Sequence, residues 1–329
     1  MFGYIVRRLI GAALVVVVTS ILVFTLFFAG PSEPGRALCQ ESRCTPERLA
    51  LINESLGYDA PVTEQYAVWA KGIVAGREID FGGSTYDCPA PCLGVSFRQK
   101  VPVLDILLDR FPATLSIAIG GATLYLLLGV SLGVLAARRR GTAVDRGLVG
   151  GSLIVSSIPY YLLALLAFLY FVSSWGIFPE TGYTSPFSSP VSWLSGMLLP
   201  WLVLGFASST YYARFSRGFM VEALSEDYVR TAKAKGLPER KVLRHALRAA
   251  IVPVVTIFGL DVAALLSGTF FTEQIFGING IGRTALTAIG QQDLPIIAAT
   301  VLIGSFLVVV ANLVVDIAYT LIDPRVRLS

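Results

Sequence analysis

Histidine is almost missing from this chain of 329 residues. His245 is the only one, so a multi-histidine zinc centre and a membrane-embedded Ser-His hydrolytic pair both lack their parts. Charge is scarce as well. Asp, Glu, Lys and Arg supply 15% of the residues, against roughly 25% in an average soluble domain, and that deficit excludes an ordinary water-soluble protein. No G-x-x-x-x-G-K-[ST] sequence occurs and no glycine-rich phosphate loop follows a candidate strand, so the sequence holds no block that would carry out ATP chemistry. Cysteine is limited to Cys39, Cys44, Cys88 and Cys92, all within residues 33–110.

What the chain has in quantity is apolar sequence, 54% of its residues, arranged in blocks. Residues 9–32 and 111–137 contain no ionisable group, and each run exceeds the ~20 residues needed to cross a ~30 Å hydrocarbon layer as a helix. A third uncharged stretch covers 147–179 with Pro159 inside it, and a shorter fourth covers 197–213. The fifth lies within 249–272 and carries Asp261, and the sixth runs from 294 to about 320 with Asn312 and Asp316 near its end. Six spans are predicted. The run after Arg7 and Arg8 is too long for a cleaved signal and lacks an A-x-A site, so it reads as a retained anchor. With the N-terminus inside, 17 of the 26 Lys and Arg residues fall on cytoplasmic flanks, whereas the short outer connections hold only Arg283. Both termini are therefore predicted to be cytoplasmic.

The long outer segment, 33–110, carries 11 acids and eight bases together with Trp69, Tyr58, Tyr66 and Phe81. Thr45 is placed to cap a helix that Pro46 begins, with Leu49 and Ile52 as an apolar pair, and a second helix is expected around 62–75. The segment reads as a small folded cap, with a solvated linker as the alternative. An oxidising exterior favours disulfides, and four cysteines permit three pairings that spacing does not distinguish. A bridge over ~6 residues stabilises by roughly 2 kcal/mol and one over ~50 by roughly 4, so at least one long bridge from Cys39 or Cys44 to Cys88 or Cys92 is expected, two local bridges being the alternative.

Between the fourth and fifth spans lies the largest cytoplasmic stretch. Ser225 reads as the cap of a helix opened by Glu226 and Asp227, which Gly236 ends before Pro238 starts another. The first helix puts Tyr228, Ala232 and Lys235 on one side, and the second offers Val242, Leu243, Ala246 and Leu247 as apolar positions. Two short amphipathic helices joined by a sharp turn suit either a membrane surface or a docking partner. His245, beside Arg244 and Arg248, reads as a solvated or contact residue. For Asp261 the readings are interhelical bonding, a water-lined passage or ion coupling; for Pro159 they are a packing kink or a moving element.

Residues 227–237 read DYVRTAKAKGL, with IVP at 251–253. This stretch resembles the coupling loop of permeases from binding-protein-dependent ABC importers, in the form used by the oligopeptide/dipeptide/nickel branch. Tyr4 to Leu9, the R-F-P-A-T-L at 110–115, Ser157-Ile158-Pro159, Glu273 to Phe276, Gly280 to Arg283, Asp293-Leu294-Pro295 and the D-P-R-V-R at 323–327 resemble the same branch, with Asn279 standing where that branch usually has proline. The resemblance covers about 1–28 and 95–328 and says least about the four-cysteine cap. It implies an all-α polytopic membrane protein with the six-helix fold of type I ABC importer permeases. The divisions are a tail and first helix at 1–32, the cap at 33–110, a five-helix core at 111–320 that includes the coupling loop 214–248, and a tail at 321–329.

On this resemblance Tyr228, Arg230, Thr231, Ala232, Lys235, Gly236 and Leu237 engage the ATPases, while Pro159 and Asp261 belong to the passage or to helix packing. The resemblance implies a non-catalytic subunit of the bacterial cell membrane with no cofactor of its own. ATP and Mg would be held by two ATPase subunits, a second homologous permease would complete the passage, and an extracytoplasmic or lipid-anchored binding protein would deliver short peptides; nucleic acid is not a partner. Nickel or another small solute is the alternative cargo, and a secondary transporter the alternative class.

Overall fold

A computed structural model describes residues 2–28, 38, 45–57, 59–81 and 84–322, without the side chains of 2–6 and 315–322. Cys39, Cys44, Tyr58, the Asp316 side chain and residues 323–329 lie outside that description. In chain order the elements are α1 (Phe2–Phe27), α2 (Pro46–Ser55), α3 (Val62–Ala75), β1 (Arg77–Asp80), β2 (Thr85–Cys88), α4 (Val103–Arg138), α5 (Ala143–Ser157) and α6 (Tyr160–Phe168, continued by a π-helical turn over Leu169–Ser174). There follow α7 (Pro190–Ser225), α8 (Asp227–Ala234), α9 (Glu239–Leu266), α10 (Phe270–Ile275), α11 (Ile281–Gln291) and α12 (Leu294–Ile322).

Among the described residues five helices are long and apolar enough to cross a membrane, and six if the bent pair α5 and α6 counts as one span. That pair turns by 87°, a break rather than a kink. Proline has no N–H and crowds the residue before it out of the helical region, and Ile158 accordingly sits at φ −84°, ψ 124°. The span at 197–213 proves to be the middle of a 36-residue helix, because the uncharged run itself begins at 181 and the helix continues past Arg214 to Ser225. Likewise α4 starts at Val103, eight residues before the charge-free run, and so carries Asp105, Asp109 and Arg110 out of the apolar layer.

The chain forms two compact units. The first comprises residues 1–114, 267–270 and 279–310. Its core gathers Phe24, Trp69, Val103, Leu107, Ile281 and Ile296. Phe24 also lies edge-on to Tyr66, whose hydroxyl shares a 2.8 Å hydrogen bond with Ser20, so α3 is fastened to the end of α1. Thr45 caps α2 as expected, its hydroxyl accepting from the Arg48 N–H, with Pro46 in the first turn. Among the described residues β1 and β2 form an antiparallel ribbon, with Arg77 opposite Cys88 and Asp80 opposite Thr85. Its sequence alternates Ile79 and Phe81 on one arm and Tyr86 and Cys88 on the other around Gly82-Gly83, a hairpin pattern.

The expected long-range disulfide is not formed. Cys88 bonds to Cys92, with Cα atoms 5.3 Å apart, within the usual span for such a bond. The chain turns back at once after β2, through Pro89 and Pro91, and both sulfurs are buried against Val95, Ile79 and Tyr86. A four-residue closure constrains the unfolded chain much less than the 50-residue closure expected from the sequence.

Long-range anchoring in this unit comes instead from Asp293. Its side chain is fully buried and accepts the Ser96 hydroxyl, the Phe97 N–H at 3.1 Å and the Arg98 N–H at 3.3 Å. A carboxylate removed from water needs such donors. The Arg98 guanidinium then donates twice to the Gln291 carbonyl, both at 3.1 Å. Beside this loop Lys100 sits 3.9 Å from the Phe81 ring centre. Partial burial lowers its pKa from the ordinary value, against the pull of Asp293.

The second unit comprises 115–266, 271–278 and 311–329. Within it α4 approaches α7 along a glycine face. A Cβ added at Gly133 would lie 2.7 Å from the Ala213 carbonyl oxygen, and one at Gly129 would lie 2.3 Å from the Tyr212 Cβ. Small residues are what permit helix backbones to pack this closely in a membrane.

Candidate functional site

The stretch between α7 and α9 begins with a break at Glu226, whose backbone is extended at φ −69°, ψ 150°. This single residue ends α7 and starts α8, its carbonyl accepting from the N–H groups of Val229 and Arg230. Ser225 was expected to cap α8. It is instead the last residue of α7, its hydroxyl donating back to the Val221 carbonyl at 2.9 Å. The helix running out of the membrane keeps its own hydrogen bonding for one residue more than local capping preference indicates.

At the other end Gly236 terminates α8 as expected. Its φ is +74°, a conformation that glycine adopts without the Cβ penalty. The Leu237 N–H returns to the Ala232 carbonyl at 3.2 Å and the Gly236 N–H to the Lys233 carbonyl at 2.9 Å, the paired bonds of a Schellman turn. Leu237 and Ala232 both pack against one apolar cluster, as that turn favours. The Pro238 carbonyl then accepts from Lys241 and Val242 to begin α9. The second amphipathic helix expected here is not a separate one: it is the first part of α9, which continues for 28 residues into the fifth span.

One side chain fixes α8. Val229 is wholly buried, among Met220 and Ala223 of α7, Ala137 of α4, and Val242, Ala246 and Ala250 of α9. Sequence reasoning missed it, although its spacing from Ala232 and Gly236 is that of one helix face. The opposite face is open. Tyr228, Arg230, Thr231, Lys233 and Lys235 are exposed, and Ala232, expected beside Tyr228 and Lys235, is half-buried toward the core instead. Asp227 makes a 3.3 Å contact with Arg230, both side chains mostly in solvent. Desolvation of the phenol, aided by the nearby Glu226, raises Tyr228 above its ordinary pKa. The result is an eight-residue helix with an exposed face of Tyr, Lys and Arg and a buried apolar root.

Ion pairs brace the surrounding helix ends. Arg138, at the end of α4, makes two hydrogen bonds to Glu239 at the start of α9, at 2.7 and 3.0 Å. Arg217 of α7 holds Asp145 of α5, with the second bond at 2.8 Å, and the Gly141 N–H adds a 2.9 Å bond to the same carboxylate. The Asp145 side chain is 5% exposed. It is the one acid among Arg138, Arg139, Arg140 and Arg146, a signal that pointed to a structural pair and was passed over.

Deeper in the same unit Asp261 of α9 accepts the Tyr212 hydroxyl of α7 at 2.6 Å. Tyr212 stacks on Tyr125 of α4, ring centres 4.7 Å apart, and Phe258 meets Tyr125 edge-on. Asp261 thus joins two helices by a polar bond at a depth where an unpartnered carboxylate would be costly. Pro159 lies apart from it, at the broken span, where the Tyr160 hydroxyl shares a 2.6 Å hydrogen bond with Thr272. His245 is exposed on α9.

Residues 129–328 match the family described as binding-protein-dependent transport system inner membrane component, and residues 1–118 match its N-terminal domain. A probable peptide ABC transporter permease protein of Sinorhizobium fredii is 37% identical over 98% of this chain and 99% of its own length. A putative peptide transport system permease protein of Brucella abortus is 35% identical over 99% of both chains. The dipeptide transport system permease protein of Escherichia coli is 31% identical, again over 99% of both. The chain therefore belongs to the inner membrane components of binding-protein-dependent transport systems and is a multi-pass membrane protein with the type I ABC permease fold.

Proposed function

We propose that this chain is one of two permease subunits of an ATP-driven importer of short peptides. A second, homologous permease completes the passage, an extracytoplasmic or lipid-anchored binding protein delivers the peptide, and two ATPase subunits, which hold the ATP and Mg, grip α8. The chain itself is non-catalytic and lies in a bacterial cell membrane with both termini cytoplasmic. The observation that carries this reading is the construction of α8: a short exposed helix with a rigid apolar root in α4, α7 and α9, closed at each end by a sharp turn. A push on its outer face is delivered to those three helices rather than absorbed by a loop. Peptide as cargo, in preference to nickel or another small solute, is supported by the relatives whose names carry peptide or dipeptide. Asp261 and the Tyr212 hydroxyl are the polar groups proposed to face the passage or to fix the helices that form it.

Gly236→Asp tests the coupling assignment. The substitution forces a side chain into a left-handed position and adds charge where the partner docks, while an added Cβ meets nothing within 4 Å inside the chain. The purified mutant complex is expected to lose ATPase subunits or to hydrolyse ATP without uptake, with the membrane helices intact by circular dichroism. Wild-type coupling of hydrolysis to peptide uptake in that mutant would refute the role of α8.

A further inference from the structure

Within the first unit α11 and the starts of α4 and α12 line an open pocket of about 210 Å³. Two guanidiniums reach it from different helices, Arg110 and Arg283, and among the described residues no carboxylate lines it. Asn279 accepts from Arg283 Nη1 through its Oδ1 at 2.9 Å. That bond aims the Arg283 fork and leaves the Asn279 amide as a further donor. Gln99 and Gln291 bring two more side-chain amides, and Ile106 and Ile296 supply apolar lining.

The remaining polar groups narrow the ligand. The hydroxyls of Thr284 and Thr287 donate to the carbonyls of Gly280 and Arg283, four residues back in each case, so the positive donors at the cavity are the guanidiniums. Asp109 lies 3.4 Å from Arg110 with most of its side chain in solvent, where such a pair is screened. Asp293 is turned into its own cage of Ser96, Phe97 and Arg98. Arg98 adds a third guanidinium beside the rim through Gln291. Two planar forks and the side-chain amides of Asn279, Gln99 and Gln291 around one pocket match a planar carboxylate, which arginine binds through paired parallel hydrogen bonds.

We propose that this pocket receives the free C-terminal carboxylate of the peptide on the extracytoplasmic side, a proposal that rests on the reading of the chain as a peptide permease. Arg283 and Arg110 hold the carboxylate, Asn279 orients Arg283, and Ile106 and Ile296 contact the terminal side chain.

The test uses the complete importer purified without its binding protein, with tri-alanine and its C-terminal amide as probes in equilibrium binding. The free acid is expected to bind the wild-type complex about tenfold more tightly than the amide. Arg283→Gln and Arg110→Gln each remove that preference by weakening the acid about tenfold and changing the amide less than twofold. Arg283→Lys restores part of it, and Asn279→Ala weakens the acid about threefold. Equal weakening of both probes, or no preference in the wild type, overturns the pocket. Uptake by the wild-type importer with its binding protein separates the two readings. Peptide uptake without a carboxylate preference in binding overturns this proposal alone, whereas no uptake of any peptide overturns the peptide-importer reading with it.

Discussion

Two irregular stretches of this protein are each pinned by a single fully buried side chain, and the two pins differ in kind. In the first unit Asp293 holds the loop at 96–98 through directional bonds to one hydroxyl and two backbone N–H groups. In the second, Val229 holds α8 by apolar contact alone. A carboxylate cage fixes register, because each donor has one place to point. A buried valine fixes position but tolerates small rotation, because dispersion and area burial have no preferred direction. The first suits a part that must stay as it is. The second suits the role proposed above for α8, to receive force and pass it on.

Replacing each pin sharpens the contrast, and the larger functional effect is expected at the apolar one. Val229→Asp places a charge among Met220, Val242 and Ala246, and burial of a carboxylate in such apolar surroundings is not tolerated. The helix is expected to leave its seat, with loss of co-purifying ATPases and of uptake. Val229→Ala, which removes only about 2 kcal/mol of packing, is expected to retain the ATPases and part of the uptake. If Val229→Asp transported normally, α8 would not be working from a rigid root.

At the polar pin, Asp293→Ala strips the acceptor from Ser96 and from two N–H groups at once. Buried donors left without partners cost about 1–3 kcal/mol, so local opening of the loop is expected to become easier by about 3 kcal/mol. Exchange of the Phe97 and Arg98 amides should accelerate by roughly 100-fold, while amides of the α8 region are unchanged. A change confined to overall stability, with those two amides still protected, would show that water has replaced the carboxylate.

Removing the bond between Cys88 and Cys92 is a milder test of how the same unit is held. Its short closure is worth about 2 kcal/mol in the chain-entropy account, and the aromatic contacts of Phe24, Tyr66 and Trp69 do not depend on it. Cys88→Ala with Cys92→Ala is expected to raise proteolysis near the ribbon several-fold and to leave the protection of Phe97 intact. Collapse of the whole unit on this change would mean that the disulfide, not Asp293, is its principal fastening.

How much of this could be read in advance follows from the range of each interaction. The spans were legible because lipid demands long uncharged runs, and α8 was legible because Gly236 and its neighbours state a helix end within five residues. Ser225 misled because a good capping residue was already part of the preceding helix. Pro159 signalled a disturbance but not its size, since whether a proline kinks or breaks a helix depends on what receives the freed chain. The ribbon carries an alternating pattern around Gly82-Gly83 in the sequence, a signal weaker than the helical ones on either side. The cage of Asp293 was beyond reach: Ser96 and Asp293 are 197 positions apart, and no local rule links a serine to an acid at that distance. Likewise the partner of Cys88 turned on the path of two prolines, not on spacing.

The smallest effect expected is at the brace between Arg138 and Glu239, and it tests whether the force path through α8 needs charge at all. The pair has good bidentate geometry, 2.7 and 3.0 Å, yet its side chains are 49% and 62% exposed. Solvent screens such a pair, and salt weakens it further. If α4, α8 and α9 move together because of the apolar cluster around Val229, then Arg138→Gln and Glu239→Gln should each leave ATPase retention and uptake within about twofold of wild type, at low and at high ionic strength alike. The double variant should resemble the singles. A loss of uptake well beyond twofold in either single, relieved when the charges are exchanged between the two positions, would assign the transmission to the ion pair and make the buried valine only a spacer.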